Sequence, residues 1–228
     1  MLKALIAFGG KGVREDQIMD TLWPEADGDM AHQSFATNLH RLRQLLGYEK
    51  AIQRKERRLT LDQRYCWVDL WAFESILEQA NAQWKEGKIL GAAQLMEKAI
   101  EIYKGPFLAQ EIEETWKISL TELLRSKFLR SIEKLGQYCQ QTDQWEKALD
   151  CYLKGLEVDD IAEEFYQGLM NIYSRLGRVT DALGVYQRYR KTFSTLGLEP
   201  SAKIEAINKS LFSANQGTGE LVNELQDQ

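Results

Sequence analysis

Cysteine, proline and histidine are scarce in this chain of 228 residues, at three, three and two. The cysteines (Cys66, Cys139 and Cys151) are odd in number and form no Cys-x-x-Cys pair. That argues against a disulfide frame or a thiolate zinc site and points to buried thiols in a reducing compartment, the cytoplasm. His32 and His40 share one predicted helix, so no metal cluster or histidine-based triad is expected. No apolar run approaches the ~20 residues of a membrane span. The longest early candidate, Leu2 to Phe8, lacks the basic flank, length and cleavage site of a signal peptide. Phe8-Gly9-Gly10-Lys11-Gly12 is glycine-rich but lacks the spacing and the Lys-Ser/Thr of a phosphate-binding loop. Glu111, Glu113 and Glu114 read as a solvated helix start and not as an acid–base pair. The expectation is a protein that is not an enzyme and uses no cofactor or metal.

What is present is a strong contrast in charge. The net charge of −5 averages a head and a body of opposite sign. Residues 1–64 hold 11 basic and 9 acidic side chains, whereas residues 65–228 hold 18 and 25. Within 39–64 there are 8 basic residues against 3 acidic. A basic segment on an acidic body suits a nucleic-acid-reading head on an interaction scaffold. A solvated basic face is the other reading of the same counts.

Beyond residue 69 the pattern is helical. Glycine and proline punctuate it at Gly87, Gly105-Pro106, Gly177, Gly197 and Pro200, and apolar residues recur three and four apart, as in Leu149, Tyr152, Leu153 and Leu156. The spacing predicts helices near 69–86, 89–103, 115–141, 145–157, 162–176, 179–195 and 201–212. Ser213 to Gln228 reads as a flexible tail. Ala148, Leu149 and Tyr152 recur as Ala182, Leu183 and Tyr186, 34 residues on, and Leu135 and Cys139 correspond to Leu169 and Tyr173. A period of 34, with alanine where paired helices cross, is the mark of tetratricopeptide-like (TPR-like) repeats. Gly87-Lys88 leading into Ala92, Ala93, Met96 and Ala99 resembles an earlier unit. Chance similarity among helices is the competing explanation of such matches.

The first 68 residues differ in kind. A short helix over Leu2–Phe8, a glycine turn, a helix from Val13 to Leu22 stopped by Trp23-Pro24, and a longer helix from Gly28 to Gly47 are expected. Ala51–Arg54 and Arg58–Leu61 then read as strands about a Lys55-Glu56-Arg57 turn. Three helices and a basic hairpin make a winged helix-turn-helix. On the third helix, Phe35, Leu39, Leu42 and Leu46 form the core stripe. Gln33, Thr37, His40 and Gln44 lie opposite, flanked by Ser34, Arg41 and Arg43, a face suited to base edges and phosphates in a major groove. The hairpin adds Arg54, Lys55, Arg57 and Arg58 as contacts to the adjacent backbone or minor groove. Each has a plainer reading. Arg41 or Arg43 would pair with acidic groups of the helical region, Arg58 would face the protein, His40 would be a surface histidine, and His32 would be a packing or capping residue.

These residues also carry a resemblance. Leu22-Trp23-Pro24, the run Asn38-Leu39-His40-Arg41-Leu42-Arg43-Gln44-Leu45-Leu46, and Val68-Asp69-Leu70-Trp71-Ala72-Phe73-Glu74 resemble the bacterial transcriptional activator family. That group contains the antibiotic regulatory proteins of actinomycetes. Tyr103-Lys104-Gly105-Pro106-Phe107-Leu108, Gly177-Arg178 with Asp181-Ala182-Leu183 and Tyr186, and Leu196-Gly197-Leu198-Glu199-Pro200-Ser201 extend it over roughly residues 2–212. Arg64-Tyr65-Cys66-Trp67-Val68-Asp69 looks like the version that ends large regulators with an upstream nucleotide-binding ATPase. The family's winged helix normally begins with strands, which this chain lacks before its first helix. Its wing often has a Gly-Tyr near Arg-Leu, where this chain has Lys55-Glu56-Arg57-Arg58-Leu59.

The expected architecture is mainly α: a winged helix-turn-helix truncated at its N-terminus (1–68), then a TPR-like superhelical domain (69–212), then a tail (213–228). The expected function is a transcriptional-regulator module cut from a larger chain. Its winged helix would read double-stranded promoter DNA, and its helical domain would engage RNA polymerase or other regulator domains, with a homodimer as a further expectation and no membrane partner. The alternative is a TPR-like interaction scaffold whose winged helix does not bind DNA.

Overall fold

The computed structural model describes residues 1–109 and 115–211. The predicted tail, the last residue of the final predicted helix, and Glu111, Glu113 and Glu114 lie outside these residues. The described elements run α1 (Leu2–Ala7), β1 (Val13–Arg14), α2 (Glu15–Leu22), α3 (Gly28–Leu46), a 3-10 turn (Glu49–Ala51), β2 (Ile52–Lys55), β3 (Arg58–Leu61), α4 (Asp69–Lys85), α5 (Ile89–Ile102), α6 (Thr115–Gln141), α7 (Trp145–Val158), α8 (Glu163–Arg175) and α9 (Val179–Thr195). A last helix, α10, covers 202–211. The chain divides into two compact units, Met1–Glu78 with Glu101–Ser126, and Gln79–Ile100 with Lys127–Gln228. The division falls within helices α4, α5 and α6.

The first unit holds the winged helix. Trp23-Pro24 ends α2 as expected, because proline cannot supply the next amide donor. Asp27 caps α3, its carboxylate accepting from the Met30 N–H at 2.8 Å. Gly47 closes the helix in the left-handed region at φ 68°, where a glycine suffers no Cβ clash. Val13 and Arg14 depart from the predicted helix. They form a strand, Val13 opposite Leu59 and Arg14 opposite Arg58, since pairing there buries Val13 while satisfying the backbone. The antiparallel sheet has the order β1-β3-β2. Ile52 lies opposite Leu61 and Lys55 opposite Arg58, leaving Glu56 and Arg57, both at positive φ (51° and 56°), as a two-residue turn. That geometry matches the twist of the flanking strands. Leu5, Ile18, Phe35, Leu39, Ile52 and Leu59 meet in the core beneath, whereas Leu42 and Leu46 are only half-buried. Gly10 lies at φ 69°, and a Cβ there would strike the Trp71 ring.

In the second unit the 34-residue period becomes visible as a turn. Gly177 (φ 70°) and Asp143 (φ 57°), 34 residues apart, occupy the same left-handed position, as does Gly87 (φ 79°). In each turn the next amide reaches back to a carbonyl five residues earlier: Lys88 to Gln83 at 2.9 Å, Gln144 to Cys139 at 2.8 Å, Arg178 to Tyr173 at 2.8 Å. This double-bonded helix ending sets successive helices antiparallel. Ala148 and Ala182 are fully buried. The Tyr152 ring fills the space left by Gly136 and Gly168, each of which would drive a Cβ into it. Phe165 stacks on Tyr152 at 5.9 Å between ring centroids and lies against Gly155. Cys139 and Cys151 are buried as expected, whereas Cys66 is only half-buried. Burial pushes the Cys151 thiol up to about 12, which leaves it unreactive near neutrality.

Candidate nucleic-acid interface

Helix α3 turns one face to the core and the other outward. Gln33, Thr37, His40, Arg41 and Gln44 are exposed and Ser34 is half-buried. Successive outward residues are spaced three or four apart, so they line one strip of the helix surface. The acidic residue of the first turn, Asp29, precedes this strip, which itself carries no carboxylate. His32, expected to pack or cap, is exposed instead; the cap is Asp27.

The structure separates the remaining cations by whether they have protein partners. Arg43, half-buried, donates from Nε and Nη2 to the Ile52 carbonyl at 3.2 and 2.9 Å. It therefore ties the end of α3 to the start of β2 instead of extending into solvent. Arg54 forms a bidentate pair with Glu15, Nε to Oε1 at 2.5 Å and Nη2 to Oε2 at 2.8 Å. Arg57 Nη2 donates to Asp16 Oδ1 at 3.1 Å with both groups exposed, and Arg58 Nη1 donates to the Gly12 carbonyl at 2.8 Å. Lys55 is exposed near Glu56, at 3.7 Å. The hairpin arginines thus bind the hairpin to the rest of the winged helix, a role the sequence reading considered only for Arg58.

Sequence reasoning also missed Asp62. It accepts from Gln53 Nε2 at 2.8 Å and from Arg64 Nη2 at 2.7 Å. Hydrogen bonds from the Arg64 side chain and backbone, reinforced by its positive charge and by Gln53, hold the carboxyl down at about 2. The Arg64 guanidinium lies 5.5 Å from the Tyr65 ring, and Tyr65 contacts Tyr48 at 4.5 Å between centroids. The pairing of an acid two residues before an arginine was the available signal. No group of three or more histidine, cysteine, aspartate or glutamate residues suited to a metal occurs among the described residues, and no described helix is long and apolar enough to cross a membrane.

Comparison with known proteins decides the family. The bacterial transcriptional activator domain matches residues 68–211. The chain belongs to that family. As a bacterial transcriptional activator domain protein it is a transcriptional-regulator module. The fold is similar to that of Mycobacterium tuberculosis EmbR, solved in complex with a low-affinity phosphopeptide, with a TM-score of 0.70 at 18% identity. That match covers 99% of this chain and 65% of EmbR, so the chain spans about two thirds of the EmbR structure. A weaker likeness, TM-score 0.49 at 14% identity, is to the C-terminal TPR-containing domain of a Plasmodium falciparum protein assigned as an FK506-binding protein. It covers 68% of this chain and 98% of that one and is too slight to build on. No curated protein matches the chain in sequence.

Proposed function

We propose that this activator-domain protein reads promoter DNA by placing α3 in a major groove. The observation that carries the reading is the outward strip of α3. Gln33, Thr37, His40 and Gln44 supply hydrogen-bonding groups of the length that reaches base edges, and Arg41 supplies a guanidinium suited to guanine. Arg41 is exposed and has no ion-pair partner among the described residues. Lys55 at the hairpin lies beside the phosphate backbone, where a cation positions the protein without reading sequence. The helical repeats serve as the output surface, engaging RNA polymerase or another domain of the same regulator in the cytoplasm. The module binds and does not catalyse.

Fluorescence anisotropy on a duplex from the gene's own upstream region tests this. Binding is expected to weaken steeply with salt, with a log–log slope of roughly −0.9 per phosphate neutralised. Arg41→Ala is expected to cost about 1–3 kcal/mol of discrimination. Wild-type affinity in that variant would sink the assignment of α3 as the reading helix.

The internal partners of Arg43, Arg54 and Arg58 favour a second reading, an interaction scaffold whose winged helix leaves DNA alone. Salt-insensitive or undetectable binding to every duplex tested would select it.

A further inference from the structure

We propose that Glu15 and Arg54 form a joint fixing the hairpin's angle to α3, so that Arg54 acts on DNA as a positioning residue and not as a phosphate contact. The inference rests on the DNA-binding reading for its effect on affinity, but its geometric part stands without it.

Glu15 is a carboxylate only 1% exposed in the first turn of α2. Its side chain meets Arg54 on β2, 39 residues away, through both oxygens. The guanidinium also lies 5.8 Å from the ring centroid of Phe35, the central core residue of α3. One side chain therefore touches all three parts of the winged helix: the support helix through Glu15, the reading helix through Phe35, and the hairpin through its own backbone. Neighbouring bonds act in the same direction. The Glu15 N–H donates to the Arg57 carbonyl at 3.0 Å, and Arg43 of α3 holds the Ile52 carbonyl at the base of β2. The hairpin is thus held near its turn by α2 and at its base by α3.

The Glu15 carboxylate engages the Nε and Nη2 edge of the Arg54 guanidinium and fixes its direction, so the group cannot turn that edge to a phosphate without giving up the pair. Swinging Arg54 outward would leave the Glu15 charge buried without its partner, which is strongly unfavourable. Arg54 is half-exposed, and from sequence it looks like any wing cation. The buried partner makes it different from Lys55, whose ion pair with Glu56 is long at 3.7 Å and fully in solvent, and so yields readily to a phosphate.

Three variants of the full chain test the assignment on the specific duplex across a salt series: Arg54→Lys, Glu15→Gln, and the pair Glu15→Gln with Arg54→Gln, which leaves no bare buried charge. A joint predicts that Arg54→Lys and the double variant each lose affinity about tenfold, the scale of one misaligned contact, while the salt slope stays at the wild-type value. A phosphate contact predicts near-wild-type affinity for Arg54→Lys, tighter binding for Glu15→Gln, and a slope shallower by about 0.9 in the double variant; that result would overturn the proposal. Residual dipolar couplings on the free protein give the DNA-independent arm. The orientation of β2–β3 relative to α3 is expected to change in the double variant, with the couplings inside α3 still fitting one helix. An unchanged orientation would overturn the joint even if the wild-type chain bound no DNA, an outcome that would separately defeat the DNA-binding reading.

Discussion

The winged-helix unit and the repeat unit are held together by different forces. In the first, hydrogen-bonded charges join separate elements, Glu15 to Arg54 and Asp16 to Arg57 across about forty residues, and Asp62 to Gln53 and Arg64 and Arg43 to a backbone carbonyl at shorter range. In the second, rings fill the space above glycines, with Tyr152 against Gly136 and Gly168, and Phe165 against Gly155. A sheet of short strands leaves little apolar area, so directed polar bonds set the relative angles of its parts. A helix stack buries continuous apolar faces, and shape complementarity does most of that work, with charged groups such as the Lys147–Glu97 pair at its surface. The polar device gives orientation and the apolar one gives stability.

The largest expected effect lies in the repeat unit. Phe165→Ala removes a ring that is 1% exposed and is expected to cost about 3–5 kcal/mol, measured as the shift in urea midpoint of the second unit. A small loss would mean that packing is not what holds that unit.

Gly168→Ala sharpens the same contrast. A methyl there must displace the Tyr152 ring, so a loss of about 1–3 kcal/mol is expected despite alanine's better helix propensity. Gly184→Ala is its control: no described atom lies within 4 Å of the new methyl, and a gain of about 0.5–1 kcal/mol is expected. Equal signs for the two substitutions in thermal unfolding would break the packing argument.

The smallest effect is expected in the winged helix and depends on pH. Asp62 has its carboxyl held down at about 2 from an ordinary value of 3.8. Its bonds therefore contribute stability above pH 3.8, and that contribution is lost as pH falls toward 2. Asp62→Asn should remove this acid-dependent step, seen as hydrogen exchange of the β2–β3 amides that no longer accelerates between those pH values. An unchanged acid profile in the variant would show that the hairpin does not depend on this carboxylate.

The same contrast explains what could be read from the residues alone. Helices α4 to α9 lie within a residue or two of their expected limits, because apolar periodicity and glycine or proline ends are local signals. The outward strip of α3 was legible for the same reason, since Phe35 and Leu39 define its opposite face. The two-residue strand Val13–Arg14 was not, because its state is decided by Leu59 and Arg58, more than forty residues away. Nor were the roles of Arg43 and Arg54. An arginine on a basic hairpin has the same appearance whether a phosphate or a buried carboxylate awaits it. Charge counts carry no distances, and Glu15 reads in sequence as an ordinary first-turn acid.

Tyr152 gives the repeat unit a property beyond stability. One edge of its ring faces Gly136 on α6 and the other faces Gly168 on α8. A half-turn of the ring about its axis swings these edges out of the glycine spaces and toward the side chains over its faces, Phe165 of α8 among them, so it requires the packing of α8 on α7 to loosen for a moment. The flip rate of this single ring is thus a clock for the breathing of the helix stack, readable in solution without any label.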